Sequence, residues 1–416
     1  MRRAGSTRRW WHRSRGAPKP SLWVRCATSD TLGRGGVWNA GAVRIDFHAS
    51  PRPTVGVEWE LALVDRHSRD LRNDAADLFS AVADRLPDPG RLHKELLRNT
   101  VEVVTGVCDT VGDALSDLRS IVLPVLEAAD GLDLDLYGAG THPFASWAGQ
   151  QLTEGHRYAE LIERTQFWGR QMLIWGVHVH VGMPSQERVL PVLTSLLTWY
   201  PHLQALSASS PIWGGLDTGY ASNRALMFQQ LPTAGLPFHF ERWEEFEHFA
   251  ADQLETGVID ELSEIRWDLR PAPHLGTLEN RVCDGVSTPR ELGALTALIQ
   301  CLVVDLDARL VAGESLPTMP PWHVQENKWR AARYGLDAIV ILDDDNRERL
   351  VTDDLADLLD RLASVADRLG CSAELADVAT IVERGASYQR QRAVAERTGD
   401  LVAVVDAVVE ELRESW

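Results

Sequence analysis

The sequence predicts an α+β fold with a helical C-terminal part. Two observations carry that prediction. Strand-like segments alternate with longer helical ones over the first three-quarters of the chain, and from Thr352 onward the pattern is nearly all helical, broken near Gly370, Gly385 and Gly399. A third observation concerns what the strands carry. Residues 55–63, 174–181, 265–270 and 277–282 alternate apolar with ionisable side chains. Successive side chains of a strand point to opposite faces, so Glu58 shares a face with Glu60 and His178 with His180. The same holds for Arg266, Asp268 and Arg270, and for Glu279 with Arg281. Unpaired charges are costly to bury, so such a face must pair its charges, bind metal or meet a charged ligand.

In chain order, residues 55–64 read as a strand. Asn73 and Asp74 open a helix that ends near Pro87. Residues 97–104 are extended, with Glu102 at their centre. A helix starts after Asp109 and runs toward Ala129, with Leu115, Leu118, Val122 and Leu126 recurring every three or four positions. Leu132, Leu134 and Leu136 alternate with Asp133, Asp135 and Tyr137, a strand leading into Gly138. Residues 154–172 are helical and lead into the strand at 174–181. Residues 187–209 form another helix, 211–219 a loop and 290–313 a strongly apolar helix. No internal repeat is visible, and no low-complexity linker interrupts residues 45–416. A single catalytic domain over 43–416 is expected.

The chain has 416 residues and a formal net charge of −18, which argues against a nucleic-acid or membrane-surface role. No apolar run reaches the ~18 residues of a membrane span. Residues 1–50 carry ten Lys/Arg against two Asp, so the acidity lies in the remainder. Residues 1–42 read as a basic tail, disordered or the product of an over-early start. Arg8, Arg9, Trp10 and Trp11 faintly resemble a twin-arginine signal, but Arg13, Arg15 and Lys19 stand where an apolar stretch belongs. The five cysteines are odd in number and never in a Cys-x-x-Cys pair, which favours a reduced, cytoplasmic chain without a thiolate zinc site.

Glu58 and Glu60 stand ~6.5–7 Å apart along their strand, a spacing suited to two cations or a bridge between them. Hard oxygen ligands favour Mg²⁺ or Mn²⁺. Taken alone, the pair also fits a solvated strand face. Glu102 and Glu279 each sit mid-strand between apolar neighbours, where carboxylates are uncommon. His178 and His180 have two readings: a zinc pair, as in zinc-dependent amidohydrolases, or partners of a carboxylate-rich Mg²⁺ or Mn²⁺ site. Arg224, Arg270 and Arg281, with the Lys328, Arg330 and Arg333 cluster, are candidate clamps for carboxylate or phosphate. There is no Gly-x-x-x-x-Gly-Lys-Ser/Thr loop, no Gly-x-Gly-x-x-Gly after a strand and no Gly-x-Ser-x-Gly elbow. A bound nucleotide would therefore rely on metal ions and arginines for its phosphates.

At these residues the sequence resembles the carboxylate–amine ligase family, also called glutamate–cysteine ligase type 2. The matching stretches are residues 56–60, 176–182, 267–282 and 326–337, in family order. The resemblance implies a glutamine-synthetase-like fold, a curved and largely antiparallel sheet forming an open funnel flanked by helices. It implies ATP-dependent joining of a carboxylate, typically the γ-carboxylate of glutamate, to an amine such as that of cysteine. By resemblance Glu58, Glu60, Glu102 and Glu279 are metal-binding carboxylates, and His178 belongs to the metal–phosphate centre. Arg224 and Arg281 hold the substrate glutamate. Arg270, Lys328 and Arg330 are the candidates for nucleotide binding and for stabilising charge on the transferring phosphoryl group. ATP and Mg²⁺ (or Mn²⁺) are the implied cofactors, small molecules the implied partners, and a homo-oligomer is compatible with it. The competing readings are the zinc amidohydrolase and a non-catalytic ATP- or metal-binding relative.

Overall fold

One long strand organises the sheet. In the computed structural model, which describes residues 44–416, β1 (Val55–Asp65) pairs with β3 (Thr100–Val104) along one edge. Along its other edge it pairs with β5 (Gly176–Gly182) as far as Trp59 and then with β4 (Leu134–Tyr137) from Ala62. β2 (Leu92–Lys94) continues the sheet beyond β3; β9 (Thr277–Asp284) and then β8 (Leu269–Ala272) continue it beyond β5. Every pairing is antiparallel, and the sheet is not closed. The expectation for the basic tail at 1–42 lies outside the described residues.

Alternation along β1 decides what each face does. Val55, Val57, Trp59, Leu61 and Leu63 are buried in the main core, and Gly56, Glu58 and Glu60 face the other way. Each large apolar side chain removed from water contributes about 1.5–3 kcal/mol. A one-residue slip would exchange the two sets, so the register is strongly specified. Beyond Glu60 the open face closes. Ala62 and Val64 pack with Tyr137, Trp175 and three valines near the C-terminus, Val405, Val408 and Val409. Only the first half of β1 is left to line a cavity.

Helices cover the core face and the flanks. The first are α1 (Ala75–Val82), α2 (Val111–Asp130), α3 (His156–Thr165), α4 (Phe167–Arg170), α5 (Gln186–Leu196), α6 (Tyr200–Ser207), α7 (Asn223–Phe228) and α8 (Trp243–Glu255). Then follow α9 (Pro289–Val311), α10 (Pro321–Tyr334), α11 (Val351–Leu369), α12 (Ser372–Arg384), α13 (Ser387–Thr398) and α14 (Leu401–Glu414). α9 is the spine. Thr288 caps it by accepting the Glu291 N–H at 3.1 Å, Pro289 occupies its first position, and an almost unbroken run from Glu291 to Val303 is buried. Among the described residues no helix is long and apolar enough to cross a membrane.

The structure corrects four local expectations. The helix expected over 154–172 breaks at Gln166, whose φ is 49°. The helix expected over 187–209 is interrupted at 197–199, because Pro201 has no N–H to offer the carbonyl four residues back. The loop at 211–219 contains a hairpin of β6 (Ile212–Trp213) and β7 (Leu216–Asp217), turned by Gly214 and Gly215 at φ of 57° and 85°. Positive φ at both central residues is the geometry of a type I′ turn. Finally, the strand expected over 265–270 begins only at Leu269, and a bend at Asp268 turns that carboxylate away from Arg266 and Arg270.

Candidate active site

Cross-strand register brings the ionisable residues together. Glu60 stands opposite Glu102, Glu58 opposite His178, His180 opposite Glu279, and Glu279 opposite Arg270. β5 and β9 slip by one residue between Val177 and Val179, a bulge that sets Arg281 and Val282 against His178. The ionisable residues among these line a cavity of about 350 Å³ with Glu95, Arg157, Arg224 and Arg266.

Glu58 lies at the centre. Its Oε2 is 2.9 Å from His178 Nδ1, and its Oε1 is 3.3 Å from His180 Nε2. Burial pushes its pKa up, but hydrogen bonds and charge from the two histidines outweigh this and hold it well below the ordinary carboxylate range. Glu279 is fully buried. Its Oε2 accepts from Arg270 Nε and its Oε1 from Arg281, each at 2.5 Å. Burial again pushes upward, and the two guanidinium groups again win, so Glu279 stays ionised. The histidines diverge. Burial and the Arg281 charge lower His178; Glu279 and Glu58 overcome burial and raise His180. With the His178 proton on Nδ1 toward Glu58, Nε2 keeps its lone pair, and that atom is buried without a partner among the described residues.

Glu60, Glu95 and Glu102 differ from the other two glutamates. Burial raises all three and neighbouring glutamates add to it, while the more distant Arg224 and Arg281 pull Glu60 the other way without overcoming burial. Glu60 accepts the Gly176 N–H at 2.5 Å, and Glu102 has His93 at 3.5 Å. No arginine or lysine lies within ion-pair distance of any of the three among the described residues, so their charge is under-compensated.

Three sets of ligand atoms converge to within 4.8 Å: Glu58, His180 and Glu279; Glu58, Glu102 and His178; Glu60, Glu95 and Glu102. The donor sets fit a hard divalent cation, being mostly carboxylate oxygen with at most one imidazole each. They also correct the zinc reading. The two histidines fall in different sets that share only Glu58, and the open antiparallel sheet has none of the architecture expected of an amidohydrolase barrel.

A pH dependence follows from the raised groups. Each holds its proton more tightly in the metal-free fold than in the unfolded chain, so metal-free stability falls as pH rises through those raised values. Cation binding must expel these protons. Mn²⁺ affinity is therefore expected to increase as pH rises above the ordinary carboxylate range, with net proton release. Calorimetry in two buffers of different ionisation enthalpy measures that release, and zero release would contradict the ligand assignment.

The arginines sort by their partners. Arg270 lines the cavity, but four of its five N–H groups are engaged, two on Glu279 and two on the Ser263 and Ile265 carbonyls. It orients Glu279 and has little left for a ligand. Arg281 and Arg224 both lie 5.7 Å over the Phe228 ring. Arg224 donates to the Arg281 and Val282 carbonyls at 3.2 and 3.5 Å, its Nε has no partner, and no carboxylate of the described residues pairs with it. A buried cation that lines a cavity with no carboxylate in direct ion-pair contact among the described residues is suited to an anion.

Lys328 and Arg330 are not brought to this cavity. Successive even positions on a helix do not share a face. On α10, Lys328 turns inward and pairs with Asp268 at 2.6 Å, with Tyr200 donating to the same carboxylate at 3.1 Å. Arg330 turns outward to Glu326 at 2.8 Å and Glu348 at 2.5 Å. Neither lines the cavity, and each is held in an ion pair rather than left free for a phosphate. Lys328→Ala is expected to destabilise the fold by about 3–5 kcal/mol, because Asp268 is left charged and buried. Arg330→Ala is expected to leave the KM for ATP unchanged. Thermal unfolding and ATP saturation curves check both.

Glu95 escaped the sequence reading. It lies in the turn between β2 and β3, where no alternation marks which way a side chain points. Its one clue is a place in a short hairpin whose return strand carries Glu102.

Comparisons with known proteins bear on the chain as a whole. The sequence profile of glutamate–cysteine ligase family 2 matches residues 54–407. A Nocardioides protein provisionally named glutamate–cysteine ligase 2-3 is 76% identical over 372 residues, 89% of this chain and 99% of that protein. A Mycobacterium tuberculosis protein provisionally named glutamate–cysteine ligase 2 is 66% identical over 372 residues, 89% of this chain and 98% of its own length. Among solved structures, glutamate–cysteine ligase from Francisella tularensis, in complex with AMP, superposes with a TM-score of 0.63 at 12% identity, covering 88% of this chain and 90% of that one. A bifunctional glutathione synthetase from Pasteurella multocida gives 0.59 at 14% identity, over 88% of this chain and 53% of that one. These two show a shared fold.

Proposed function

This chain belongs to glutamate–cysteine ligase family 2 and is a ligase, and from that premise we propose that it joins the γ-carboxylate of glutamate to an amine such as cysteine, cleaving ATP to ADP and phosphate. The observation that carries the proposal is the convergence of five glutamates and two histidines beside Arg224, a buried cation with no carboxylate partner.

A carboxylate is a poor electrophile and repels the γ-phosphate. Arg224 and Arg281 would hold the donor so that one carboxylate oxygen faces the cavity. That oxygen attacks the γ-phosphorus, the bond to the β-phosphate oxygen breaks, and ADP leaves with that electron pair. The amine nitrogen then attacks the acyl carbon, phosphate departs, and the nitrogen loses a proton. Glu58, Glu60, Glu95, Glu102, Glu279, His178 and His180 would hold Mg²⁺ or Mn²⁺. When bound, such cations neutralise the triphosphate and lower the electrostatic barrier to phosphoryl transfer. Glu279 is kept ionised by Arg270, and neutral His178 keeps a lone pair for this purpose. Small-molecule partners, a nucleotide, an amino acid and an amine, are all that the reaction requires.

A coupled ADP-release assay tests the proposal, run across amino-acid donors and amine acceptors with Mg²⁺ and Mn²⁺ compared. ADP release that requires glutamate and a divalent cation is expected. ATP binding without ADP release under every combination would refute it.

A further inference from the structure

We infer that Gly176 and Asp284 are positioning residues that together fix Arg224 where it meets the donor carboxylate, an inference that rests on the ligase reading above. The two are direct cross-strand partners on β5 and β9. The bulge ahead of them returns Asp284 to the cavity face of the sheet. Arg224 sits on this pair, held from behind and from beneath.

From behind, the hold comes through the first turn of α7. Ser222 caps that helix, its Oγ accepting the Ala225 N–H at 3.2 Å, and the Arg224 N–H donates to Ser210 Oγ at 3.1 Å. Each hydroxyl has one proton to give. Both give it to Asp284, Ser222 to Oδ1 at 2.8 Å and Ser210 to Oδ2 at 2.6 Å. The Ser209 N–H adds a third bond to Oδ2 at 3.1 Å. Burial raises the Asp284 pKa on balance, with Arg224 and these donors pulling against it, and the two hydroxyls and the amide are all placed as donors to its oxygens. A buried carboxylate so placed orients both hydroxyls with their lone pairs toward α7. An amide at this position would present N–H groups to one of them and force it to turn, releasing the helix start that carries Arg224.

From beneath, the hold is space. The Arg224 guanidinium lies directly on the Gly176 backbone. A Cβ at Gly176 would fall 2.1 Å from one terminal nitrogen, 2.4 Å from Cζ and 2.7 Å from Nε. Gly176 lies in a regular strand, so its need is room for the arginine and not an unusual backbone angle. Its N–H meanwhile holds Glu60. One residue thus seats a cation for the donor and a carboxylate for the metal side.

The obstruction in Gly176→Ala meets only the far end of a flexible side chain, so this variant is expected to fold and to displace the arginine tip. Glutamate saturation is measured by ADP release from the full chain at saturating Mg-ATP, with hydroxylamine as a generic nucleophile. Gly176→Ala is expected to raise the KM for glutamate about tenfold or more while the KM for ATP stays within about twofold. Asp284→Asn is expected to act in the same direction, and Ser210→Ala and Ser222→Ala test the same link should that variant not fold. Because all act through one side chain, Gly176→Ala added to Arg224→Ala is expected to cost nothing further. An unchanged glutamate KM in Gly176→Ala, or fully additive losses in the double variant, overturns the inference. Wild-type protein that releases no ADP with glutamate refutes the ligase reading itself, a different outcome from a wild type that turns over and a Gly176→Ala variant that matches it.

Discussion

Glu279→Gln is expected to abolish ADP release and to lower the melting temperature at the same time. The carboxylate is fully buried and is the counter-ion of both Arg270 and Arg281. Removing its charge leaves two largely buried guanidinium groups without their shared counter-ion, which typically costs about 3–5 kcal/mol. The catalytic loss has a separate cause, since Glu279 also contributes to one of the three cation-holding sets. Losing that contribution is expected to reduce turnover about 1,000-fold, equivalent to ~4 kcal/mol of barrier. The two effects separate in a double variant. Arg270→Met removes one of the stranded charges, so Glu279→Gln with Arg270→Met is expected to recover part of the lost melting temperature and none of the activity. Circular dichroism melts and ADP release read the two effects independently. Near wild-type turnover in Glu279→Gln would remove Glu279 from the cation site.

Glu58→Gln is expected to give a comparable loss of turnover with little change in stability. Glu58, like Glu102, belongs to two of the three convergent sets, one with His180 and Glu279 and the other with Glu102 and His178. Its side chain is 25% exposed at the cavity, and its partners are histidines that can go neutral, so no permanent charge is stranded by its removal. Mn²⁺ titration followed by electron paramagnetic resonance is expected to show at least one fewer bound ion per chain. A variant that binds the same number of ions with the same affinity would show that the convergence around Glu58 serves only to order the two histidines.

The contrast between these variants was only half legible in the sequence. That Glu58 and Glu60 share a face, and Glu279 and Arg281 another, follows from the two-residue period of a strand, and the structure places these side chains on one cavity. The same period failed at Asp268. A single bend ahead of β8 turned that carboxylate toward Lys328 and Tyr200, and periodicity has no means of registering a bend. The basic cluster on α10 failed for a related reason. Lys328 and Arg330 are neighbours in sequence but opposite in direction on a helix, and each found a carboxylate far away in the chain, one buried and one at the surface.

By itself the sequence determined the class of fold, the face taken by residues in regular strand stretches such as Glu58 and Glu60, and the hard, carboxylate-rich character of the site, because these depend on local periodicity and side-chain chemistry. Tertiary structure alone decided which carboxylates stand together. Glu58 meets His178 through strand register, Glu95 reaches Glu60 and Glu102 from a turn, and Arg224 is seated on Gly176 by a serine network anchored at Asp284. Register, bulges and buried pairing are set by contacts between residues far apart in the chain, and their energies depend on distances that no local pattern encodes.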